Sequence, residues 1–251
     1  MSRLSPMQEG ADEFVKGVTL LFNECRGHCY MTRAREIQDE RRSRLHERLE
    51  ECLRLKEASI TASDENLADA LLSVEYVLRA VFQELSMWIA LKEGRSKEAW
   101  DCLVVAQADI RCAMKAHRIG ANVQSYAAIL DRIEHVVFPP QLFLSIGIRV
   151  GRYECSICGR EYGTCGHIVG RAYMGELCSR LPRELGELDH CAFVENPADK
   201  RCRTETTEVD GEDRDTLTWE TVPRDGASEA TKPGYFRMRG CMLRADIEPG
   251  T

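Results

Sequence analysis

Apolar residues recur at every third or fourth position through most of the first 138 residues. This spacing places them on one face of an amphipathic helix. The clearest run starts after Ser63, the predicted N-cap, and ends at Gly94, a residue type that suits a helix stop. The apolar positions of this run are Leu67, Leu71, Val74, Leu78, Phe82, Leu85 and Ile89. The pattern predicts a long helix with one buried face.

Two more helices are predicted between this run and a pair of prolines. One extends from Ser96 to near Gly120, and the other begins at Asn122. Pro139 and Pro140 end the second helix, because proline lacks the N–H that continues the hydrogen-bond ladder.

The first helical stretch has two parts of different composition. An apolar stripe comes first, and a segment at 33–57 that is dense in both charge signs follows with a narrower stripe. The stripe residues are Phe14, Val18, Leu21, Cys25 and Cys29, then Leu45, Leu49 and Cys52. The pattern predicts a long, solvated helix paired with one neighbour, and an exposed coiled-coil arm is the alternative. With short loops between helices, we expect an antiparallel bundle of about four helices.

The pattern changes after the prolines to short segments typical of β-strands. The predicted strands are LFLSIGIRV (142–150), LDHCAFVENP (188–197), TLTWETV (216–222) and YFRMRGCMLRADI (235–247). Residues 223–234 read as a loop or linker because of their Gly, Pro and Ser content. The predicted fold class is therefore α+β, a helical bundle followed by a small β-rich domain.

Composition divides the chain into three predicted segments. Residues 1–138 are the helical bundle, residues 141–203 a β domain, and residues 204–251 an acidic β and loop extension. The net charge is −7, and residues 204–230 alone hold nine acids and two bases, so the remainder is neutral overall. Because nucleic-acid-binding proteins usually carry a basic surplus, this balance argues against nucleic acid as the main ligand.

Hydropathy and cysteine usage predict a reduced, cytoplasmic protein. No apolar run approaches the ~18 residues that span a bilayer, so no membrane association is expected. Residues 1–14 contain an arginine with no apolar region after it, so no secretory signal is expected. Twelve cysteines are spread over 251 residues, and we expect most to be reduced.

Three cysteines and one histidine, residue types that bind zinc, lie within thirteen residues in the order Cys155, Cys158, Cys165, His167. Three thiolates and an imidazole form the closed tetrahedral shell of a structural zinc site, so the predicted cofactor is a structural Zn²⁺. Buried reduced thiols are one alternative, and a redox-active pair at Cys155 and Cys158 is another. Cys178 lies eleven residues beyond His167 and is an alternative ligand, in place of Cys165.

A second metal site is a weaker hypothesis for the first helical stretch. Cys25 and Cys29 lie four residues apart on one helix face, with His28 beside them. Such a site needs further ligands from elsewhere, whereas an apolar stripe needs none. Cys52, Cys102 and Cys112 are expected in or near the helical core.

The segment LSIGIRVGRYECSICGREYGTCGHIVGRAYMGELC, with LGELDHCAFVENPADKRC after it, resembles part of a known family. It is similar to the capsid-maturation (prohead) serine proteases of tailed phages, in versions that carry a cysteine-rich zinc insert. The resemblance covers residues 142–202. A family strand reading roughly S-[IF]-G-F bears the nucleophilic serine and matches residues 145–148. A later strand, roughly E-V-S-L-V-D-x-P-A, matches residues 189–198.

The resemblance implies a β unit with a zinc knuckle inserted between two core strands, and phage-related biology. It also implies that Ser145 would be the nucleophile. A serine nucleophile needs a base within hydrogen-bond reach. The family's histidine comes from strands before the serine strand, a region that is helical here. His190 is therefore the candidate base, with His135 as another possibility.

Three functions are compatible with these observations. The first is a non-enzymatic, zinc-stabilised interaction or assembly subunit of a phage-related or phage-defence system, acting as a homo-oligomer or with a protein partner. No P-loop, G-x-G-x-x-G or H-E-x-x-H motif is present. The second is a serine endopeptidase, or a degenerate relative, that uses Ser145 and His190. The prediction leans towards no enzymatic activity.

The third function is a nucleic-acid-binding zinc module. Basic and aromatic residues surround the knuckle, namely Arg149, Arg152, Arg160, Arg171, Tyr153, Tyr162 and Tyr173. The tyrosines could stack on bases. Residues 149–203 hold nine basic and eight acidic residues, however, so the surface is not clearly cationic.

Overall fold

The computed structural model describes residues 6–29, 33–223 and 237–241. Five α-helices and one 3₁₀ helix lie in these residues, and short antiparallel sheets follow, which confirms the predicted α+β class. The helices are α1 (Pro6–His28), α2 (Arg35–Thr61), α3 (Glu65–Lys92), α4 (Ser96–Ala116), the 3₁₀ helix η1 (Arg118–Val123) and α5 (Gln124–Val137). None of the helices in the described residues is long and apolar enough to cross a membrane.

The first helical stretch forms two helices where the sequence predicts one. Gln38 of α2 is completely buried and explains how α1 can end inside the bundle. Its side-chain amide donates hydrogen bonds to the carbonyls of His28 (3.0 Å) and Cys29 (2.6 Å). Its oxygen accepts one from Lys92 Nζ at 2.7 Å. The last carbonyls of a helix need such partners when they are buried.

Two predicted helix ends differ in detail. The N-cap of α3 is Asp64, whose carboxylate accepts a hydrogen bond from Leu67 N at 3.1 Å, and Ser63 before it has φ +56. Helix α4 stops at Ala116, and η1 rather than α4 contains Gly120. Gly94 follows α3 with φ +71, the left-handed conformation expected of a glycine stop.

The centre of the bundle is the pairing of α3 with its neighbours. Leu71, Leu78 and Leu85 are each 2% exposed or less, as the helical spacing predicts. Glu84 is buried beside them and accepts hydrogen bonds from Tyr126 Oη of α5 (2.7 Å) and Trp88 Nε1 (3.4 Å). These neutral donors satisfy a carboxylate whose burial would otherwise be costly.

Asp109 of α4 gives the bundle a pH-dependent stability. Burial raises its pKa from 3.8 to about 6, against the opposing charge of Arg79, whose Nε lies 3.6 Å from Asp109 Oδ2. Between these two pH values the folded protein binds more protons than the unfolded chain, so this group destabilises the fold increasingly as pH rises through that window.

We therefore expect Asp109→Asn to increase the free energy of unfolding at pH 7 by up to about 3 kcal/mol, since one pKa unit corresponds to about 1.4 kcal/mol. Urea unfolding at pH 7 and near pH 4 measures the gain, which should almost vanish at the lower pH. The exposed Asp12 of α1, changed to Asn, is the control. An equal gain at both pH values would show that ionisation of Asp109 is not the cause.

The strands of the second half are short except for two. They are β1 (Phe143–Val150), β2 (Tyr153–Cys155), β3 (Ala172–Tyr173), β4 (Glu176–Leu177), β5 (Arg180–Pro182), β6 (Leu185–Val194), β7 (Thr204–Val209), β8 (Glu212–Asp215) and β9 (Met238–Gly240). Strands β1 and β6 confirm two predicted strands. The predicted strand at 216–222 is wrong, because the Asp215 carboxylate accepts hydrogen bonds from Leu217 N and Thr218 N and holds a turn there. Most of the predicted loop at 223–234 lies outside the described residues. Of the predicted strand at 235–247 the structure describes residues 237–241, and β9 lies there.

Chain contacts define two compact units. One is Met1–Arg132 together with Arg152–Glu184, and the other is Ile133–Gly151 together with Leu185–Thr251. The knuckle, residues 152–184, thus belongs to the same unit as the helices. The sequence instead predicted one domain, residues 141–203, that contains the knuckle together with β1 and β6. Each unit is described separately below.

In the second unit, β1 and β6 form a two-stranded antiparallel ribbon. Phe143 pairs with Val194 at one end and Val150 with Leu185 at the other, with irregularities after Gly147 and Ile148. Strands β8, β7 and β9 form a separate three-stranded sheet. The buried Arg203 lies just before β7 and donates hydrogen bonds from Nη1 to Thr216 Oγ1 (2.8 Å) and to the Thr204 carbonyl (3.0 Å).

Candidate metal centre

The first limb of the centre is a tight turn after β2. Gly159 N donates a hydrogen bond to the Cys155 carbonyl at 2.8 Å, and Cys155 N donates one to the Arg160 carbonyl at 2.9 Å. Gly159 has φ +67, which a residue with a side chain rarely adopts. The turn places Cys155 and Cys158 side by side, as their spacing predicts.

The second limb brings Cys165 and His167 to the same point. The thiol sulfurs of the three cysteines and a ring nitrogen of His167 all lie within 4.8 Å of one another. Cys155 Sγ is 3.5 Å from His167 Nδ1. Cys155 is buried and the other three donors are half-buried. These four side chains therefore form a group that could hold a metal ion.

Hydrogen bonds from Arg160 favour the thiolate form of Cys158, the form that metal binding requires. The backbone N–H of Arg160, followed by its guanidinium, lowers the pKa of Cys158 from 9.0 to about 6. At neutral pH this sulfur is thus largely a thiolate, the form of cysteine that binds metals. Cys158 is thus the donor whose thiolate form the surrounding polypeptide stabilises.

Cys178 brings a fourth sulfur, and so a fifth possible donor, to this centre. Its Sγ lies 3.8 Å from Cys155 Sγ, and the residue is 2% exposed. Burial, followed by the neighbouring Cys155, raises the pKa of its thiol to about 11. Cys178 thus stands beside the four grouped donors as a protonated, buried thiol.

Aromatic and basic side chains surround the centre. The Tyr173 ring meets His167 edge to face with centroids 4.7 Å apart, and its hydroxyl accepts a hydrogen bond from Ile168 N. The Arg180 guanidinium lies over the rings of Tyr153 (5.2 Å) and Tyr162 (5.8 Å). The three tyrosines considered for base stacking are therefore engaged in holding the knuckle together.

A hairpin of the knuckle docks on the helices of the same unit. Met174 and Gly175 connect β3 to β4 with φ +47 and +79, the two positive values of a type I′ turn. Gly175 N donates a hydrogen bond to Asp69 Oδ1 of α3 at 2.8 Å. A Cβ added at Gly175 would lie 3.2 Å from Lys56 Cδ and 3.3 Å from Ile60 Cδ1. The turn was not predicted from the sequence, although Gly175 at its second central position was a usable signal.

A small apolar cluster supports this contact. Ala172 of β3 is buried with Leu72 of α3 and Ala116 of α4, and Tyr76 and Leu177 pack against them. The cluster is small, and β3 and β4 have two residues each, so the polypeptide alone contributes little to ordering the knuckle.

The structure gives no support to a second metal site among the residues that it describes. The group at Cys155 is the one set of three or more such ligands found there. Cys25 and Cys29 are buried in α1, and burial raises the pKa of Cys25 to about 12. A thiol so protected from ionisation is a poor ligand, and both residues belong to the core stripe. Cys52 is also buried, and Cys102 and Cys112 are half-buried.

The two candidate catalytic residues lie on the β1–β6 ribbon. Ser145 pairs with Ala192, and His190 pairs with Gly147. Paired residues and residues two apart share a face, so Ser145 and His190 are diagonal neighbours. Among the described residues, no hydrogen bond joins them, and the contact of His190 Nδ1 is with Asp189 Oδ2 at 3.3 Å.

Gly147 explains how the His190 ring fits. A Cβ at this position would lie 2.4 Å from His190 Cε1, so only a glycine leaves room for the ring.

No protein-family model, curated protein or solved structure matches this chain.

Proposed function

We propose that the protein is a non-enzymatic assembly subunit in which zinc folds the knuckle and the β1–β6 ribbon pairs with a second copy of the chain. Three sulfurs and one imidazole nitrogen suit tetrahedral zinc, and a shell closed by four protein ligands leaves no position for a substrate. We place the protein in a reducing compartment such as the cytoplasm, because its twelve cysteines are free thiols.

The proposed pairing with a second copy rests on one face of the β1–β6 ribbon. The cross-strand pairs that share it are Leu144 with Phe193, Ile146 with Cys191, Ile148 with Leu188, and Val150 with Leu185. We call these eight side chains the ribbon face. Leu185, Leu188 and Phe193 are 65%, 61% and 53% exposed. The four residues of this face that lie on β1 are half-buried. Exposed apolar side chains such as those on β6 indicate an interaction surface, and a two-stranded ribbon alone is only marginally stable.

A second copy is the occupant that fits this face. Because it is apolar on both strands along its whole length, a two-fold rotation sets apolar side chains against apolar ones throughout. Eight residues of strand give a face about 26 Å long and 10 Å wide at the usual strand dimensions. At about 260 Å² per copy, this footprint is well below the ~800 Å² per partner of a standard interface, so we expect a weak, transient dimer.

Sedimentation velocity over a range of protein concentrations tests the assembly. We expect a monomer–dimer equilibrium that Leu188→Glu shifts to monomer, because a carboxylate cannot be buried there without a partner. Leu20→Glu is the matched control, since Leu20 of α1 is 66% exposed and lies on the other unit. A monomer at every concentration, or a dimer that Leu188→Glu leaves intact, would contradict the proposal.

A serine peptidase of the prohead type is a second candidate, favoured by the shared face of Ser145 and His190. Asp189 next to His190 could orient the imidazole. A fluorophosphonate probe, which reacts with activated serines, would label the wild-type protein and neither Ser145→Ala nor His190→Gln. If the probe does not label the wild-type protein, the serine peptidase function is ruled out.

A further inference from the structure

We propose that Cys178 is a reserve ligand of the metal centre, able to take the coordination position of Cys165. The centre would then have five donors for four positions. This inference rests on the metal site of the proposed function and extends it to a residue outside the four grouped donors.

The position of Cys178 relative to Cys155 is the first support. With Zn–S near 2.3 Å and Zn–N near 2.0 Å, a tetrahedral ion sets its ligand sulfurs about 3.8 Å apart and a sulfur and a nitrogen about 3.5 Å apart. Cys178 Sγ lies 3.8 Å from Cys155 Sγ, and His167 Nδ1 lies 3.5 Å from it. Each of these two atoms therefore lies at ligand–ligand distance from Cys155 Sγ, although Cys178 is not among the four donors that all lie within 4.8 Å of one another.

The backbone around Cys178 is the second support. Cys178 N donates to the Arg171 carbonyl at 2.9 Å, and the Cys178 carbonyl accepts from Gly170 N at 2.8 Å. One residue further on, Ser156 and Ser179 are joined twice, by Ser156 N to the Ser179 carbonyl (3.1 Å) and by Ser179 N to Ser156 Oγ (2.9 Å). The limb that carries Cys178 is thus fixed against the turn that carries Cys155.

Cys165 is more exposed than Cys178. It lies between Gly163 with φ +101 and His167, and its side chain is half-buried, whereas Cys178 is 2% exposed. A solvent-accessible thiolate is the donor most open to oxidation or exchange. A buried thiol at ligand distance from Cys155 is placed to replace it.

The exchange balances without an added reactant. The Zn–S bond to Cys165 breaks and a Zn–S bond to Cys178 forms. Cys178 releases its proton to water, and the freed Cys165 thiolate takes one up. The charge of the centre and the number of thiolate ligands stay the same. A centre loaded by either route has three sulfur ligands and one nitrogen ligand.

Competition with a chromophoric zinc chelator gives the affinity of each variant. The zinc affinity of Cys165→Ser should be within about tenfold of that of the wild-type protein. The affinity of Cys165→Ser/Cys178→Ser should be lower by a further ~100-fold or more, because the effects of two coupled residues are not additive. Cys178→Ser alone should bind like the wild-type protein. Cys102→Ser, a half-buried thiol on α4, is the matched control.

Cobalt substitution counts the sulfur ligands directly. The thiolate-to-cobalt charge-transfer band of Cys165→Ser should keep the wild-type intensity for three sulfurs, and the double variant should lose a third of it or bind no cobalt. If the wild-type protein binds zinc but Cys165→Ser has lost it, or if Cys178→Ser weakens Cys165→Ser no further, the reserve ligand is disproved and the metal site stands. If the wild-type protein binds no zinc, the metal site itself is disproved.

Discussion

Removal of the metal by a strong chelator should unfold the knuckle, residues 152–184, and leave the helices folded. The knuckle has strands of two or three residues and one small apolar cluster, whereas structural zinc contributes roughly 10 kcal/mol or more to the folding of small modules. Hydrogen exchange read by mass spectrometry measures this. The amides of Gly170, Gly175 and Cys178, which donate hydrogen bonds within or from the knuckle, should lose their protection.

The helices supply the internal control for this experiment. Amides near Leu85 in α3, a residue fully buried in the bundle, should exchange equally slowly with and without chelator. Added zinc should restore the protection of the knuckle. Unchanged exchange at Gly175 and Cys178 after complete metal removal would show that the polypeptide orders the knuckle without an ion.

Gly120→Ala should strongly destabilise the helical part of the protein. A Cβ at Gly120 would lie 2.1 Å from the Ala113 carbonyl oxygen and 2.7 Å from Met114 Cα, both backbone atoms of α4. Backbone cannot rotate away as a side chain can, so η1 must move off α4. We expect a loss of about 3 kcal/mol or more in the free energy of unfolding, at the upper end of overpacking effects. Urea or thermal unfolding measures it.

Gly10→Ala is the matched control for this substitution. Nothing lies within 4 Å of the position where its Cβ would stand, and Gly10 is exposed in α1. Alanine is the better helix former by about 1 kcal/mol, so this variant should be as stable as the wild-type protein or slightly more stable. Equal unfolding curves for Gly120→Ala and the wild-type protein would mean that η1 does not pack on α4 as described.

The parts of the structure that depend on neighbours in sequence were predictable. The apolar spacing of α3 placed Leu71, Leu78 and Leu85 in the core, where burial confirms them. The same holds for the grouping of Cys155, Cys158, Cys165 and His167, because all four lie within thirteen residues and a turn suffices to bring them together.

Contacts between distant residues were beyond the sequence pattern. The hydrogen bond from Gly175 to Asp69 joins positions 106 residues apart, and no local signal pairs them. The same is true of Gln38, which satisfies the end of α1 through its side chain and so separates two helices that read as one.

Two differences between the predicted and the observed structure arise at turns. Asp210 and Gly211 join β7 to β8 with φ +52 and +82, and this Asp-Gly pair is typical of a type I′ hairpin turn that the sequence analysis did not predict. The segment 216–222 alternates like a strand, but the Asp215 side chain offers its backbone N–H groups a nearer acceptor. A local hydrogen bond outweighed the periodicity at that point.

The proposed function requires that Cys155, Cys158, Cys165 and His167 together hold one zinc ion. Native mass spectrometry of freshly purified protein, prepared without chelators, tests it most directly, with Cys155→Ser as the matched variant. Cys155 is the buried one of the four donors and lies 3.5 Å from His167 Nδ1 and 3.8 Å from Cys178 Sγ, so its loss removes the corner that both sets of ligands share. We expect one zinc per wild-type chain and none in Cys155→Ser. A wild-type chain without metal, or an equal zinc content in both proteins, would contradict the account.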